Sequence, residues 1–305
     1  MAFSSKHVRA VPVCSFAGNF VQCDLRWRWV FSSSRRTATL VPSAVPASFH
    51  AFFTLFFPAD CRICGSPLEE LTRIPLCREC LRSPEPFLPE FYCVRCRTPF
   101  ENAFPLDAEG RCPLCRNGLR GFDAAYCFGS YEGVLREWIH LYKYGRVKTL
   151  VRPLGELLAA ALPSGEQWDA VVPVPLHWRR RWRRGFNQSD LLARFVAMRR
   201  NVPVIPALKR VRYTPTQTGL SNTARRKNVA AAFDTVRRRS VAGRRILLVD
   251  DVMTTGSTAA ACAAALRRAG ATNITLLTVA RADRRLNAAS FDPSEHQPGS
   301  SRNGE

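Results

Sequence analysis

The chain has 305 residues, 46 % of them apolar, enough for one large domain or two modest ones with a true core. No apolar run reaches the ~18 residues of a spanning helix, so no membrane span is expected. The formal charge of +21 favours polyanionic partners (nucleic acid, a membrane surface or phosphorylated substrates), although an arginine-rich solvated surface would give the same balance.

Residues 1–48 are rich in Ser, Val and Arg, hold one acid, Asp24, and show no sustained periodicity. They are expected to be an unstructured leader or a start placed too far upstream, although the next methionine is Met198. No secretory signal stands out, so a reducing, cytoplasmic setting is expected. The run "FHAFFTLFF" (49–57) is too short to cross a bilayer and is expected to pack on the domain behind it.

Residues 55–118 carry eight of the twelve cysteines, as four Cys-x-x-Cys pairs: Cys61/Cys64, Cys77/Cys80, Cys93/Cys96 and Cys112/Cys115. Paired thiols in a reducing compartment read as metal ligands. Two such knuckles complete a tetrahedral S₄ site for Zn²⁺, so four pairs imply two closed, structural zinc sites. Sequential pairing (61, 64, 77, 80 and 93, 96, 112, 115) and interleaved pairing are both open at this level. Ferredoxin-type spacings differ, and a redox dithiol would not be repeated four times. Cys127 and Cys262 lie outside the pairs and are expected in the core.

Residues 119–286 alternate helical and strand-like segments. "REWIHLYKYG" (136–145) and "TLVRPLGELLAAAL" (149–162) read as helices, and "DAVVPVP" (169–175) as a short buried strand. Asn187 is placed to cap the helix "QSDLLARFVAMRR". "VPVIPALKRV" offers another strand. "RRILLVD", "TAAACAAALRRAG" and "ITLLTVAR" then form a strand, an alanine-rich helix stopped by Gly270, and a strand, which suggests a βαβ unit in a parallel sheet. Residues 287–305 are polar and are expected to be disordered.

The stretch "ILLVDDVMTTGST" (246–258) lies at that strand-to-helix junction. Its apolar residues bury the strand, and Asp250 and Asp251 emerge at the carboxyl end, where open α/β sheets bind ligands. Thr254, Thr255, Gly256, Ser257 and Thr258 follow at the helix start. There, backbone N–H groups, hydroxyls and the helix dipole make a seat for an anion. A phosphate in the loop with vicinal hydroxyls on the acids describes a ribose 5-phosphate. A Walker-type reading fails because no Gly-Lys pair occurs in the chain, and no G-x-G-x-x-G opens a helix.

This segment resembles the 5-phosphoribosyl 1-pyrophosphate (PRPP) motif of type I phosphoribosyltransferases. Three other stretches, "VPVPLHWRRRWRRGFNQSDLLA" (172–193), "QTGLSNTARRKNVAAAF" (217–233) and "LYKYGR" (141–146), extend the resemblance to the ComF/GntX family of double zinc ribbon phosphoribosyltransferase proteins over residues 55–285. The resemblance implies a type I phosphoribosyltransferase fold, an α/β domain with a mainly parallel sheet flanked by helices, behind an N-terminal double zinc ribbon. It implies that Asp250 and Asp251 hold the ribose hydroxyls and that Thr254–Thr258 wrap the 5′-phosphate. Mg²⁺ is expected to accompany PRPP. Arg184, beside Gly185, is the best placed of the arginines at 179–184 to meet pyrophosphate, in what reads as a loop. Residues 214–228 read as a hood that closes over the active site, and Arg225 and Asn228 in it match the family block, which implies that Arg225 helps stabilise pyrophosphate.

The implied chemistry is displacement at C1 of PRPP with an unspecified acceptor, carried by positioning and electrostatics. His177 could touch pyrophosphate, but it and His140 read as ordinary core or solvated histidines. Relatives in the family are linked to DNA uptake, with single-stranded DNA and a helicase as partners. A second reading is therefore a non-catalytic adaptor for single-stranded nucleic acid that keeps the ribose-phosphate pocket. Trp178 and Trp182, set among arginines, could stack on bases if exposed; burial in the fold is the ordinary expectation.

Overall fold

The computed structural model describes Cys14–Ala17, Phe20–Cys23 and residues 59–282, except 69–72, 101, 104–105, 118–120, 212–231 and 237. Within Met1–Pro46, a unit of its own, Cys14–Ala17 (β1) and Phe20–Cys23 (β2) pair antiparallel.

In the second unit, Ala47–Glu305, the cysteine-rich segment holds only short elements. These are Arg78–Arg82 (α1), the antiparallel pair Phe91–Tyr92 (β3) and Pro99–Phe100 (β4), and Pro113–Arg116 (α2). Its cysteines supply much of the local core: seven of the eight paired ones are buried or half-buried, and Cys64 is exposed.

Ala124–Ser130 (β5), Ala170–Pro173 (β6), Arg245–Met253 (β9) and Asn273–Arg281 (β10) form a parallel sheet in the order β5–β10–β9–β6. The central strands β9 and β10 are covered on both faces, which is why they read as continuous apolar runs. Strand alternation sends Ile246 and Leu248 into one core and Leu247 and Val249 into the other. Ser257–Arg268 (α7) packs on the first core through small residues such as Ala263 and Cys262. Gly133–Lys143 (α3), Val151–Ala161 (α4) and Gln188–Arg200 (α6) pack on the second through Trp138, Leu154 and Leu192. The expected strand–helix–strand unit is therefore present as β9–α7–β10, with Gly270 at φ +92° just past the helix.

Four local features differ from the sequence reading. β5, an edge strand with mixed burial, carries no period-two pattern and was not anticipated. The segment 202–211 gives only a bridge at Val204 and the strand Leu208–Arg210 (β7), paired antiparallel with Phe233–Thr235 (β8); Pro203 and Pro206 interrupt it. The arginine-rich "loop" is a helix, Trp178–Arg184 (α5). Asn187 does stand at the N-cap of α6, but no cap hydrogen bond forms. Its Nδ2 donates instead to the Val174 carbonyl at 3.2 Å, tying the helix start to the end of β6.

Candidate functional site

The acid pair sits at the carboxyl end of β9. Adjacent strand residues point to opposite sides, and the two carboxylates have different partners. Asp250 Oδ1 accepts from Ser189 Oγ on α6 at 2.8 Å and from the Asp251 N–H at 2.9 Å. Asp251 Oδ1 meets Lys143 Nζ, from the last residue of α3, at 2.8 Å. Both side chains of that ion pair are enclosed, 14 % and 13 % exposed. Desolvation, with the Asp251 charge beside it, pushes the Asp250 carboxyl up to about 7, against the opposing pull of Ser189 and Lys143. Burial works against the Lys143 charge, but Asp251 and then Asp250 outweigh it and hold the ammonium above the ordinary lysine range.

The loop that follows has the geometry of an anion seat. Gly256 is the N-cap of α7 at φ +74°, a left-handed conformation open to glycine at no steric cost, and no side chain caps the helix. The Ser257 N–H donates to Thr255 Oγ1 at 3.4 Å, and the N–H groups of Thr258 and Ala259 are left for a ligand. Thr255 Oγ1 and Ser257 Oγ lie 2.9 Å apart across the turn. Asp250, Thr254–Thr258 and Thr278 line a small cavity of about 50 Å³. The Thr278 hydroxyl, fully buried opposite Asp250 in the β9–β10 register, has no hydrogen-bond partner.

Arg184 ends α5 and faces α3 and α6. Its guanidinium donates to Gln188 Oε1 and to Tyr144 Oη, each at 3.3 Å, and lies 4.9 Å from the Tyr144 ring centroid. Gly185, at φ +80°, turns the chain from α5 into α6. Tyr142 Oη donates to the Gln188 carbonyl at 3.0 Å, so α3 and α6 are linked beside the acid pair. Arg225, Asn228 and the hood lie outside the described residues, as do the side chains of Arg179, Arg180 and Arg183. His177 is buried and His140 exposed.

The expectation of buried tryptophans on α5 is overturned: Trp178 is 64 % and Trp182 84 % exposed. A seven-residue helix rich in arginine has little apolar surface to turn inward, so the indoles stay outside.

The eight paired cysteines converge in sequential order. Cys61, Cys64, Cys77 and Cys80 form one group, and Cys93, Cys96, Cys112 and Cys115 the other, with the sulfurs of each within 4.8 Å of one another. The interleaved alternative is thereby settled against. Tetrahedral zinc with ~2.3 Å bonds needs sulfurs ~3.8 Å apart. Cys64 Sγ and Cys77 Sγ are 3.6 Å apart, and Cys96 Sγ and Cys112 Sγ 3.7 Å. Backbone N–H groups reach the sulfurs, Cys80 to Cys77 at 3.4 Å and Cys112 to Cys93 at 3.3 Å, as anionic thiolates require. Both groups fit zinc. Among the described residues no other set of three His, Cys, Asp or Glu converges in this way.

Each group is fixed to a different face of the sheet. Cys61 and Cys80 join the core of α3, α4 and α6. The second group joins the core under α7. There Arg281, at the end of β10 and 3 % exposed, donates to the Cys96 carbonyl at 3.3 Å and to Thr98 Oγ1 at 2.6 Å. Thr98 Oγ1 in turn lies 2.9 Å from Cys96 Sγ.

A parallel sheet with an acid pair at the end of a central strand, followed by an uncapped, glycine-initiated helix, defines a phosphoribosyltransferase-type domain. Consistent with this, the profile of the Phosphoribosyl transferase domain family matches residues 183–297. The chain is 32 % identical over 185 residues to Competence protein F of Haemophilus influenzae, covering 58 % of this chain and 77 % of that one. It is 33 % identical over 187 residues to DNA utilization protein YhgH of Escherichia coli K12, covering 59 % and 78 %. The chain belongs to the ComF family of competence protein F. Among solved structures, the glutamine phosphoribosylpyrophosphate amidotransferase from B. subtilis complexed with ADP and GMP is 28 % identical with a TM-score of 0.31, over 43 % of this chain and about a quarter (26 %) of that one. Among the described residues, no helix is long and apolar enough to cross a membrane.

Of the site residues named from sequence, the structure brings together Asp250, Asp251 and Thr254–Thr258, with Arg184 beside them on the α3–α6 network. Lys143 and Ser189 were missed as partners of the acids. The only signal for them was their place inside the "LYKYGR" and "GFNQS" blocks.

Proposed function

We propose that the chain binds PRPP, or another ribose 5-phosphate ligand, at the β9–α7 junction and serves DNA uptake. One observation carries the reading. The buried strand β9 delivers two carboxylates beside a helix start that has a left-handed glycine and no side-chain bond from its N-cap residue. Carboxylates accept hydrogen bonds from vicinal hydroxyls, and the helix start receives a dianionic phosphate. The names of the relatives, competence and DNA utilization, support the setting.

In this reading Asp250 and Asp251 orient the ribose. Thr254, Thr255, Gly256, Ser257 and Thr258 fix its phosphate, and Arg184 meets pyrophosphate after leaving Tyr144. Arg225 is proposed to approach from the hood. Mg²⁺, arriving with PRPP, would neutralise pyrophosphate charge. If an acceptor attacks C1, the residues contribute by orientation and charge, and such a step requires no dedicated base. We read the two cysteine groups as zinc sites with a structural role, and the boundaries near residues 118 and 286 as the limits of the transferase-like domain.

The test is calorimetric titration of PRPP with Mg²⁺ into zinc-loaded protein beside Asp251→Ala. Binding by the parent that the variant loses is the expected result; equal binding by both would place the pocket elsewhere.

A second reading, a single-stranded DNA adaptor that does not turn PRPP over, is favoured by one specific feature. Trp178 and Trp182 stand exposed one helical turn apart among arginines, in a chain of charge +21. Indole faces of this kind stack on unpaired bases. Affinity for an oligonucleotide that falls steeply with salt, with no release of pyrophosphate from PRPP, would select this reading.

A further inference from the structure

The Lys143–Asp251 pair sits where the sugar is read, and what it does there rests on the ribose-phosphate reading of that pocket. Its Nζ–Oδ1 distance is 2.8 Å, and both side chains are largely shielded from solvent. Such a pair is weakly screened by salt, and removing one partner leaves an uncompensated charge. On Asp250, Oδ1 is already occupied by Ser189 Oγ and the Asp251 N–H. The acid pair thus presents its remaining oxygens beside an ammonium that is already in place. Hard divalent cations seek about six oxygen ligands. Among the described residues no third carboxylate, histidine or thiol joins this pair. Lysine is a compact point charge, so Nζ neutralises the Asp251 carboxylate while it holds it in place.

We propose that Lys143 is the built-in counter-cation of the acid pair: it positions the Asp251 carboxylate and takes the place a divalent ion would otherwise take, so that ribose 5-phosphate is received without a metal on the acids. Mg²⁺ that comes with PRPP then belongs to the pyrophosphate end of the ligand. Lys143 is a positioning residue in this scheme, acting on the ribose through Asp251.

Two measurements on the zinc-loaded full chain test this. The first uses Mn²⁺ alone, followed by electron paramagnetic resonance. The parent should bind no stoichiometric Mn²⁺. Lys143→Met should gain one equivalent, because the ion enters the vacated place, and adding Asp251→Asn to that variant should abolish it. The second is calorimetry with ribose 5-phosphate, with and without added Mg²⁺. The parent should bind equally in both. Lys143→Met should be weaker by about tenfold or more without Mg²⁺ and recover with it, while Lys143→Arg, which keeps the charge, should stay near the parent.

A Mn²⁺ site on the parent's acid pair, or Mg²⁺-dependent binding of ribose 5-phosphate by the parent, overturns the proposal. So does a Lys143→Met variant that gains no ion and keeps its affinity. If the Mn²⁺ results are as expected but the parent binds no ribose 5-phosphate in either buffer, the pocket reading falls and the counter-cation role stands. Should Lys143→Met fail to fold, Lys143→Gln carries both arms.

Discussion

Trp138 Nε1 donates to the carbonyl of Cys80 at 3.1 Å, joining the first cysteine group to helix α3, the helix that ends in Lys143. Loss of that group's metal should therefore be felt at the acid pair. Cys80→Ser is expected to lower zinc content from two equivalents to one and to weaken ribose 5-phosphate binding, because α3 loses its anchor. Atomic absorption on the purified variant reads the first effect and calorimetry the second. Two retained equivalents would remove Cys80 from the ligand set.

With zinc in both cysteine groups, the two should differ in lability. Cys64 is exposed and Cys77 half-buried in the first group, whereas all four cysteines of the second are buried. A chelator needs access to the sulfur–metal bonds. Zinc release to a colorimetric chelator is expected in two phases of equal amplitude, with the fast one lost in Cys80→Ser. A single phase would mean that the groups open together.

Asp250 makes stability depend on pH. Its carboxyl in the folded chain keeps the proton up to about pH 7 because it is desolvated beside Asp251, whereas the unfolded carboxyl releases it near pH 3.9. Between those values the folded state binds more protons, so this group's contribution falls as pH rises through the window. Asp250→Asn should flatten that decline and be more stable than the parent at pH 8, by roughly 1–3 kcal/mol. Thermal melts from pH 4 to 8 measure it. Parallel curves for parent and variant would contradict the assignment.

Of the exposed indoles, Trp182 stands further out than Trp178. If the surface of α5 takes single-stranded DNA, Trp182→Ala should lose roughly 1–3 kcal/mol of oligonucleotide affinity while the salt slope stays unchanged, since stacking carries no counterion release. Arg181→Ala should reduce the slope instead. Fluorescence anisotropy over a salt series separates the two. Unchanged binding in both variants would take DNA off this helix.

Arg281 offers a check on the second cysteine group. It is a buried guanidinium held by the Cys96 carbonyl and Thr98 Oγ1. Arg281→Met removes the donor and leaves Thr98 and Cys96 to rearrange, at a cost of about 1.5–3 kcal/mol. In a domain of this size that lowers the melting temperature by several degrees.

Sequence alone disclosed what is local. β9, its acids and the start of α7 lie within thirteen consecutive residues, and every Cys-x-x-Cys knuckle is a four-residue signal. Neither needs knowledge of distant contacts. Lys143 and Ser189 were silent because their charges and hydroxyls are answered by β9, far along the chain. β5 was silent because AAYCFGS has no period-two alternation and only a short apolar start in which small residues are mixed with Tyr126 and Phe128. The indoles on α5 were misjudged because tryptophan is usually buried, and a short helix crowded with arginine cannot bury it.

The strand order has a consequence for how the protein is made. β9 and β10, the two inner strands, are the last of the sheet to leave the ribosome, while β5 and β6 at the edges come first. Until they arrive, β5 has no strand beside it and β6 only the bridge at Val204, and both cores stay open. The cysteine groups are synthesised earlier: the first can already lean on α3, while the second waits for α7 and β10. The nascent chain is thus held unfinished through most of its synthesis and closes in one late step, as expected of a fold built on non-local pairings. A ribosome that stops short of Asn273 leaves behind β6 and β9 paired alone, with β5 cut off from the sheet.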